Sequence, residues 1–189
     1  NVIIGYQAGI TATDIDNAVL IGWKAGNAIN ANGGDATVAI GYNALTALTS
    51  GANNLAVGYL AGKTLTTGAQ NIAIGRQALE THLTGESNIA IGYLAMGDTL
   101  SGGGTTSQNS NHNTFIGLVS GGGQWANAES NFNVGVGNYT MDGAMNGAGS
   151  NTAVGYGSLG ALTQGDQNVA VGTVCMDSLT TGTNNTCIG

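Results

Sequence analysis

The chain has 189 residues and no proline, where ordinary usage of about 5% would give roughly nine. Charge is almost as scarce: 7% of residues are charged, against a usual share of about 25%. Ten acids face three cations, Lys24, Lys63 and Arg76, for a net charge of −7. Three cations cannot make the basic footprint of a nucleic-acid binder, nor a patch for an anionic membrane surface. No apolar run approaches the roughly 18 residues of a membrane helix, so no membrane insertion is expected in this segment. Two cysteines, Cys175 and Cys187, are too few for a disulfide scaffold. Aromatics are only 5%. The apolar share of 42% is nevertheless too high for a solvated disordered chain. Collagen is excluded, because its triplet and its proline are both missing.

What is present in excess is glycine, 34 residues of it, and it is periodic. The segment Asn71-Ile72-Ala73-Ile74-Gly75 recurs along the chain with its glycine at positions 5, 22, 41, 58, 75, 92, 117, 137, 155, 172 and 189. Successive intervals are 17, 19, 17, 17, 17, 25, 20, 18, 17 and 17 residues, a base period of 17 with insertions. The residue before the glycine is Ile or Val in every copy, and the residue four before it is Asn except at Ala18 and Thr37. A Tyr follows the glycine at Tyr6, Tyr42, Tyr59, Tyr93 and Tyr156, and Trp23 replaces it once. Three residues after the glycine the side chain is small, and an L-T-x-G segment follows, as in Leu65-Thr66-Thr67-Gly68.

The run x-A-I-G-Y alternates with period two and reads as a strand. One face carries Ile72 and Ile74, then the aromatic; the other carries Ala73 and Gly75. Neither bears charge, so both are expected to be buried, the Ala/Gly face against close backbone and the aliphatic face in a wider core. The L-T-x-G segment is expected to turn the chain, with its glycine at positive φ. Stacked Asn residues can form a ladder. A missing proline fits strands whose every N–H donates to the next coil. The pattern therefore predicts an all-β, parallel β-solenoid: a single array over 1–189, about ten coils of about 17 residues, each with two short strands, and a rod on the order of 50 Å long. Because Gly189 is itself a motif glycine and the chain starts at Asn1, the array is expected to run on beyond both ends. So small a coil leaves the aliphatic and Tyr side chains needing a second surface, which three-fold association supplies.

The repeat N-x-A-[IV]-G-Y-x-A-L…L-T-x-G resembles those of trimeric β-roll fibres, found in bacteriophage tail-fibre proteins and in the heads of trimeric autotransporter adhesins. The resemblance covers essentially the whole chain, and the 17-residue version with Tyr and L-T-x-G looks more like the tail-fibre type. It implies a left-handed β-roll, a homotrimer with two further copies of this chain, a non-enzymatic attachment role, and a place on a virion tail fibre or, alternatively, on a bacterial cell surface. The partner implied is a cell-surface glycan or protein receptor. The structural repeat is carried by Asn54, Tyr59, Ile74, Gly75, Asn88 and Gly92.

Chemistry-bearing residues are few. His82 and His112 lack the companions that a metal or a nucleophile–base pair needs, the acids show no spacing that selects a glycosidase pair, and no cofactor motif is present. The glycine runs at 102–104 and 121–123 lack the Lys-Ser/Thr of a phosphate loop. Cys175 and Cys187 occupy small-residue positions, read as buried side chains or as a cross-coil or cross-chain contact. Insertions at 98–112 and 118–132 are expected to emerge as loops on a binding face. There Trp125, among the amides Gln124 and Asn127 and with His112 nearby, is the candidate glycan-stacking platform. A distant alternative is an ice-binding solenoid, suggested by the recurring Thr49, Thr66, Thr163 and Thr180.

Overall fold

The computed structural model describes residues 1–30, 33–98 and 109–189. The insertion expected at 98–112 lies largely outside the described residues. The described residues form eleven strands of three residues each, from β1 (Val2–Ile4) to β11 (Thr186–Ile188), one per repeat. They line up in sequence order in one sheet, and each pairs in parallel with the next. Between β5 (Ile72–Ile74) and β6 (Ile89–Ile91) the register is Ile72↔Ile89, Ala73↔Ala90 and Ile74↔Ile91, so equivalent residues stack column on column. This is the expected parallel β-solenoid of about ten turns.

Among the described residues each coil holds one strand rather than two. The rest of the coil is turns, yet its backbone still bonds from coil to coil. The N–H two residues after the motif glycine donates to the aromatic position of the preceding coil, as Leu60 N to Tyr42 O (2.9 Å). Two residues on, the N–H donates to the following coil instead, as Gly62 N to Ala78 O (2.9 Å). Both positions hold positive φ, whatever the side chain: Gln7 (55°), Leu60 (60°), Val119 (53°) and Val174 (57°) at the first, Leu45 (49°) and Met96 (47°) at the second. L-residues rarely adopt this region, β-branched ones least. Inter-coil hydrogen bonds on both sides override that preference, and they leave proline no place.

The turn glycine of L-T-x-G does not have the expected positive φ. That conformation falls two residues later, on the residue before the ladder Asn, as at Asn53 (60°) and Gln70 (61°). The motif glycine itself is at φ +133° in Gly75, where a Cβ would lie 2.5 Å from the carbonyl oxygen of Gly92. The same contact recurs down the column, with Gly41 to Gly58 O at 2.3 Å and Gly58 to Gly75 O at 2.4 Å. Glycine is required there twice over, by conformation and by the approach of the next coil.

The strand faces also differ from expectation. Ala73 is buried inside the coil, but Ile72 and Ile74 point outward and are only half-buried. The sheet has one buried face, since the turns behind it supply a single layer of cover. Inside, volumes complement one another along the rod. Phe115 fills the Ala column and is met by Gly121 and Gly135, where a Cβ would approach its ring to 2.7 and 2.5 Å. Leu45 is paired with Gly62 in the same way. Close packing of this kind leaves little tolerance for a single added carbon.

The motif Asn residues form the expected ladder. Each side-chain oxygen accepts from the backbone N–H and the Nδ2 of the next Asn, from Asn54 to Asn71 (2.9 and 3.2 Å) through to Asn185. Each Nδ2 also donates to a turn carbonyl, as Asn71 to Gly85 O (2.9 Å). Near the start the ladder is broken: Ala18 has no side chain to offer, and the buried Thr37 hydroxyl has no hydrogen-bond partner.

Candidate functional site

The four residues predicted as a receptor contact are not brought together as one platform. Trp125 is fully buried, and its ring meets Phe115 edge-to-face at 6.0 Å and 70°. It fills the interior of a coil that the insertion enlarges, and so cannot stack a ligand at the surface. Gln124 and Asn127 are exposed on either side of it. His112 is exposed and lies parallel to Phe132, with centroids 5.1 Å apart. Phe132 is therefore the aromatic that the 118–132 insertion presents to solvent, 58% exposed. It occupies the position before a ladder Asn, where Gln70 and Ser87 stand in other coils. Register alone distinguishes it from Trp125.

The motif aromatics form a second exposed column. Tyr6, Trp23, Tyr42 and Tyr59 stack in succession, with centroids 4.2, 6.5 and 5.3 Å apart and planes within 25°. Arg76 continues the column between Tyr59 and Tyr93, its guanidinium carbon 5.7 and 5.5 Å from their centroids. Ring faces within the column are covered by their neighbours, so the column presents edges outward. Arg76 replaces an aromatic without breaking the stack, since a planar guanidinium lies over a ring face. Lys63 reaches Glu80 at 3.6 Å, between the same positions of consecutive coils.

The threonines of the L-T-x-G segment have a structural use. The hydroxyls of Thr49, Thr66 and Thr163 each donate to a carbonyl of the next coil, at 2.9, 3.0 and 2.9 Å. Their protons tie coil to coil. His82 replaces the leucine of that segment, six residues before Asn88 as Leu65 is before Asn71. It is fully buried, its Nε2 2.8 Å from Ser110 O. Burial depresses its pKa to about 4, although the hydrogen bond to Ser110 opposes the shift. It is a neutral core residue.

Cys175 and Cys187 form a disulfide between consecutive coils, with Cα atoms 6.3 Å apart. Both stand in interior columns, three after and two before a motif glycine. The same two columns touch elsewhere, as where Ser158 Oγ donates to Ala170 O (3.2 Å). Among the described residues no group of three or more His, Cys, Asp or Glu converges as a metal set, and no helix is long and apolar enough to cross a membrane. No protein-family model matches this chain, and neither a curated protein nor a solved structure does.

Proposed function

We propose that the chain is a rod-like, non-enzymatic segment of a trimeric attachment fibre, of the bacteriophage tail-fibre type, that carries receptor contacts on its flanks. The observation that carries this reading is the outward strand face. Columns running from Val2 to Thr186 and from Ile4 to Ile188, edged by the aromatics, present side chains without charge except for Arg76. Val136, Val154 and Val171 on it remain 37% exposed. At a strand spacing of about 4.8 Å, eleven rungs about 15 Å wide make a strip on the order of 700 Å². A monomeric protein ordinarily leaves patches of about 300–600 Å² exposed, and a standard interface takes about 800 Å² from each partner.

The occupant argued for is the same face of further copies of this chain. Its rungs repeat at the coil spacing, so only a partner with the same spacing meets every rung in register. The resemblance of the repeat to those of trimeric fibres favours three copies. Stacked coils then serve as a stiff spacer, and three-fold repetition of a weak flank contact multiplies its effect through avidity.

Sedimentation of the purified chain at micromolar concentration tests the assembly: a trimer is expected, and a folded monomer overturns it. Adherence of the labelled chain to intact bacteria is expected of a tail fibre. Adherence to animal cells or matrix alone would move the assignment to an adhesin head, and thermal hysteresis would move it to an ice-binding solenoid.

A further inference from the structure

One groove on the rod is not explained by the repeat. It is a shallow groove open to solvent, about 460 Å³ in volume, lined by Tyr139, Asp142, Tyr156, Gly157, Gly160 and Asp177, among others. Register explains how it arises. Two residues after the motif glycine, nine coils place a side chain, from Gln7 and Lys24 to Tyr139 and Val174; Gly157 alone has none. Five residues after the motif glycine, the same coil has Gly160, between Asp142 one coil before and Asp177 one coil after. This coil is the one with glycine in both columns. A Cβ built on Gly157 would meet nothing within 4 Å. The result is a notch one coil high: the Asp142 carboxylate borders it, its Oδ1 3.4 Å from where a Cβ of Gly160 would stand, and the exposed Asp177, whose carboxylate accepts from Ser178 Oγ at 3.2 Å, lines it from the coil after.

Its walls have a definite chemistry. Tyr139 and Tyr156 stand nearly perpendicular, at 71° with centroids 5.7 Å apart, and form an aromatic corner. All three cations of the chain, Lys24, Lys63 and Arg76, precede the notch by many coils. Burial raises the pKa of Asp142, outweighing a backbone hydrogen bond that lowers it. A cation in the notch would reverse that penalty.

We propose that this notch binds a primary ammonium group, held between the carboxylates of Asp142 and Asp177 and against the tyrosine corner. Carboxylates supply charge-assisted acceptors for the ammonium hydrogens, and ring faces attract the cation. A lysine side chain on a surface protein and an amino sugar of a surface glycan both offer this group. The notch lies past the end of the strand, at the edge of the self-association face, where Tyr156 of the aromatic column forms one wall, so three copies would present three such sites. The inference gives the attachment reading a ligand chemistry and rests on that reading for its role.

Amide chemical shifts of Gly157 and Gly160 test it, titrated with Nα-acetyl-lysine amide, glucosamine and N-acetylglucosamine in turn, with sedimentation followed in the same samples. Saturable shifts with either or both ammonium probes, and none with N-acetylglucosamine, are expected. Whichever ammonium probe binds more tightly identifies the source. Asp142→Asn and Asp177→Asn should each weaken binding by about tenfold. Gly157→Gln should abolish it without disturbing the fold, because Gln7 and Gln77 already occupy this column at φ 55° and 59°. Equal shifts with N-acetylglucosamine, no saturable shift with any probe, or undiminished binding by Gly157→Gln would each overturn the proposal. An intact trimer in those cases would leave the fibre assignment standing.

Discussion

One oxygen of Asn71 holds the next coil in place: Oδ1 accepts both the backbone N–H of Asn88, at 3.0 Å, and its Nδ2, at 3.2 Å. Asn88 repeats the arrangement toward Asn113, and its Nδ2 also donates to Ser110 O at 2.9 Å. Asn88→Ala would strand the backbone N–H of Asn113 in a buried site and take from Asn71 Oδ1 one of its two donors, the backbone N–H of residue 88 remaining. An unsatisfied buried group costs about 1–3 kcal/mol. A loss of that order or somewhat more is expected in urea melts. The reverse change is expected at the gap in the ladder. Thr37→Asn would offer the backbone N–H of Asn54 the kind of acceptor that Asn54 offers Asn71, and would remove a stranded hydroxyl, raising stability by about 1 kcal/mol.

Gly75→Ala should be far more damaging than its size suggests. The added carbon would sit 2.5 Å from Gly92 O at a φ of +133°, so both the coil spacing and the backbone would have to give. A loss above about 3 kcal/mol is expected, measured by circular dichroism on heating.

The stacking was legible in the sequence because it depends on columns. Period, ladder Asn and motif glycine are each a residue type fixed at one offset, and each is found where the repeat puts it. The single strand per coil was not legible. Leu60, Val119 and Val174 have no local preference for positive φ, and only bonds to residues in neighbouring coils hold them there. Trp125 misled for a related reason. Its place within a polar insertion suggests a surface loop, whereas the insertion widens the coil and the indole fills the space beside Phe115. The Cys175–Cys187 bridge and the buried His82 follow from registering the repeats strictly, since each stands in an interior column.

His82 gives the fold an acid limit. Above pH 6.5 the imidazole is neutral in both states and has no effect. Below it the unfolded chain binds a proton that the folded coil refuses until about pH 4. Stability should therefore fall between pH 6.5 and about 4, by about 3 kcal/mol in all, and level off beneath. The Asn88 amide and the Ser110 carbonyl at the imidazole Nε2 are neutral. His82→Leu restores the side chain found at Leu65 and should remove this part of the pH dependence, read from urea midpoints at pH 4.5 and 7.5.

Reducing Cys175–Cys187 should loosen only the end of the rod. The bridge closes a loop with a sequence separation of 12, worth about 3 kcal/mol in chain entropy. Hydrogen exchange after dithiothreitol treatment should rise over β11 and the turn before it, and stay unchanged at β5. Uniform protection along the chain would contradict this.

Ile74 and Ala73 are neighbours in one strand, and they separate folding from assembly. Ala73 faces the interior and is 2% exposed, so Ala73→Asp should unfold the coil by burying a carboxylate among alanines. Ile74 points out of the coil and is half-buried, and its column continues through Val57 and Ile91 as part of the apolar strip. Ile74→Asp should keep the circular-dichroism spectrum and melting point of the coil while placing three carboxylates near the axis of a trimer. Sedimentation should then give a folded monomer from the variant and a trimer from the parent. If both variants unfolded together, the coil would not be stable without its partners, and folding would be inseparable from assembly. A variant still trimeric would place the shared surface elsewhere on the rod.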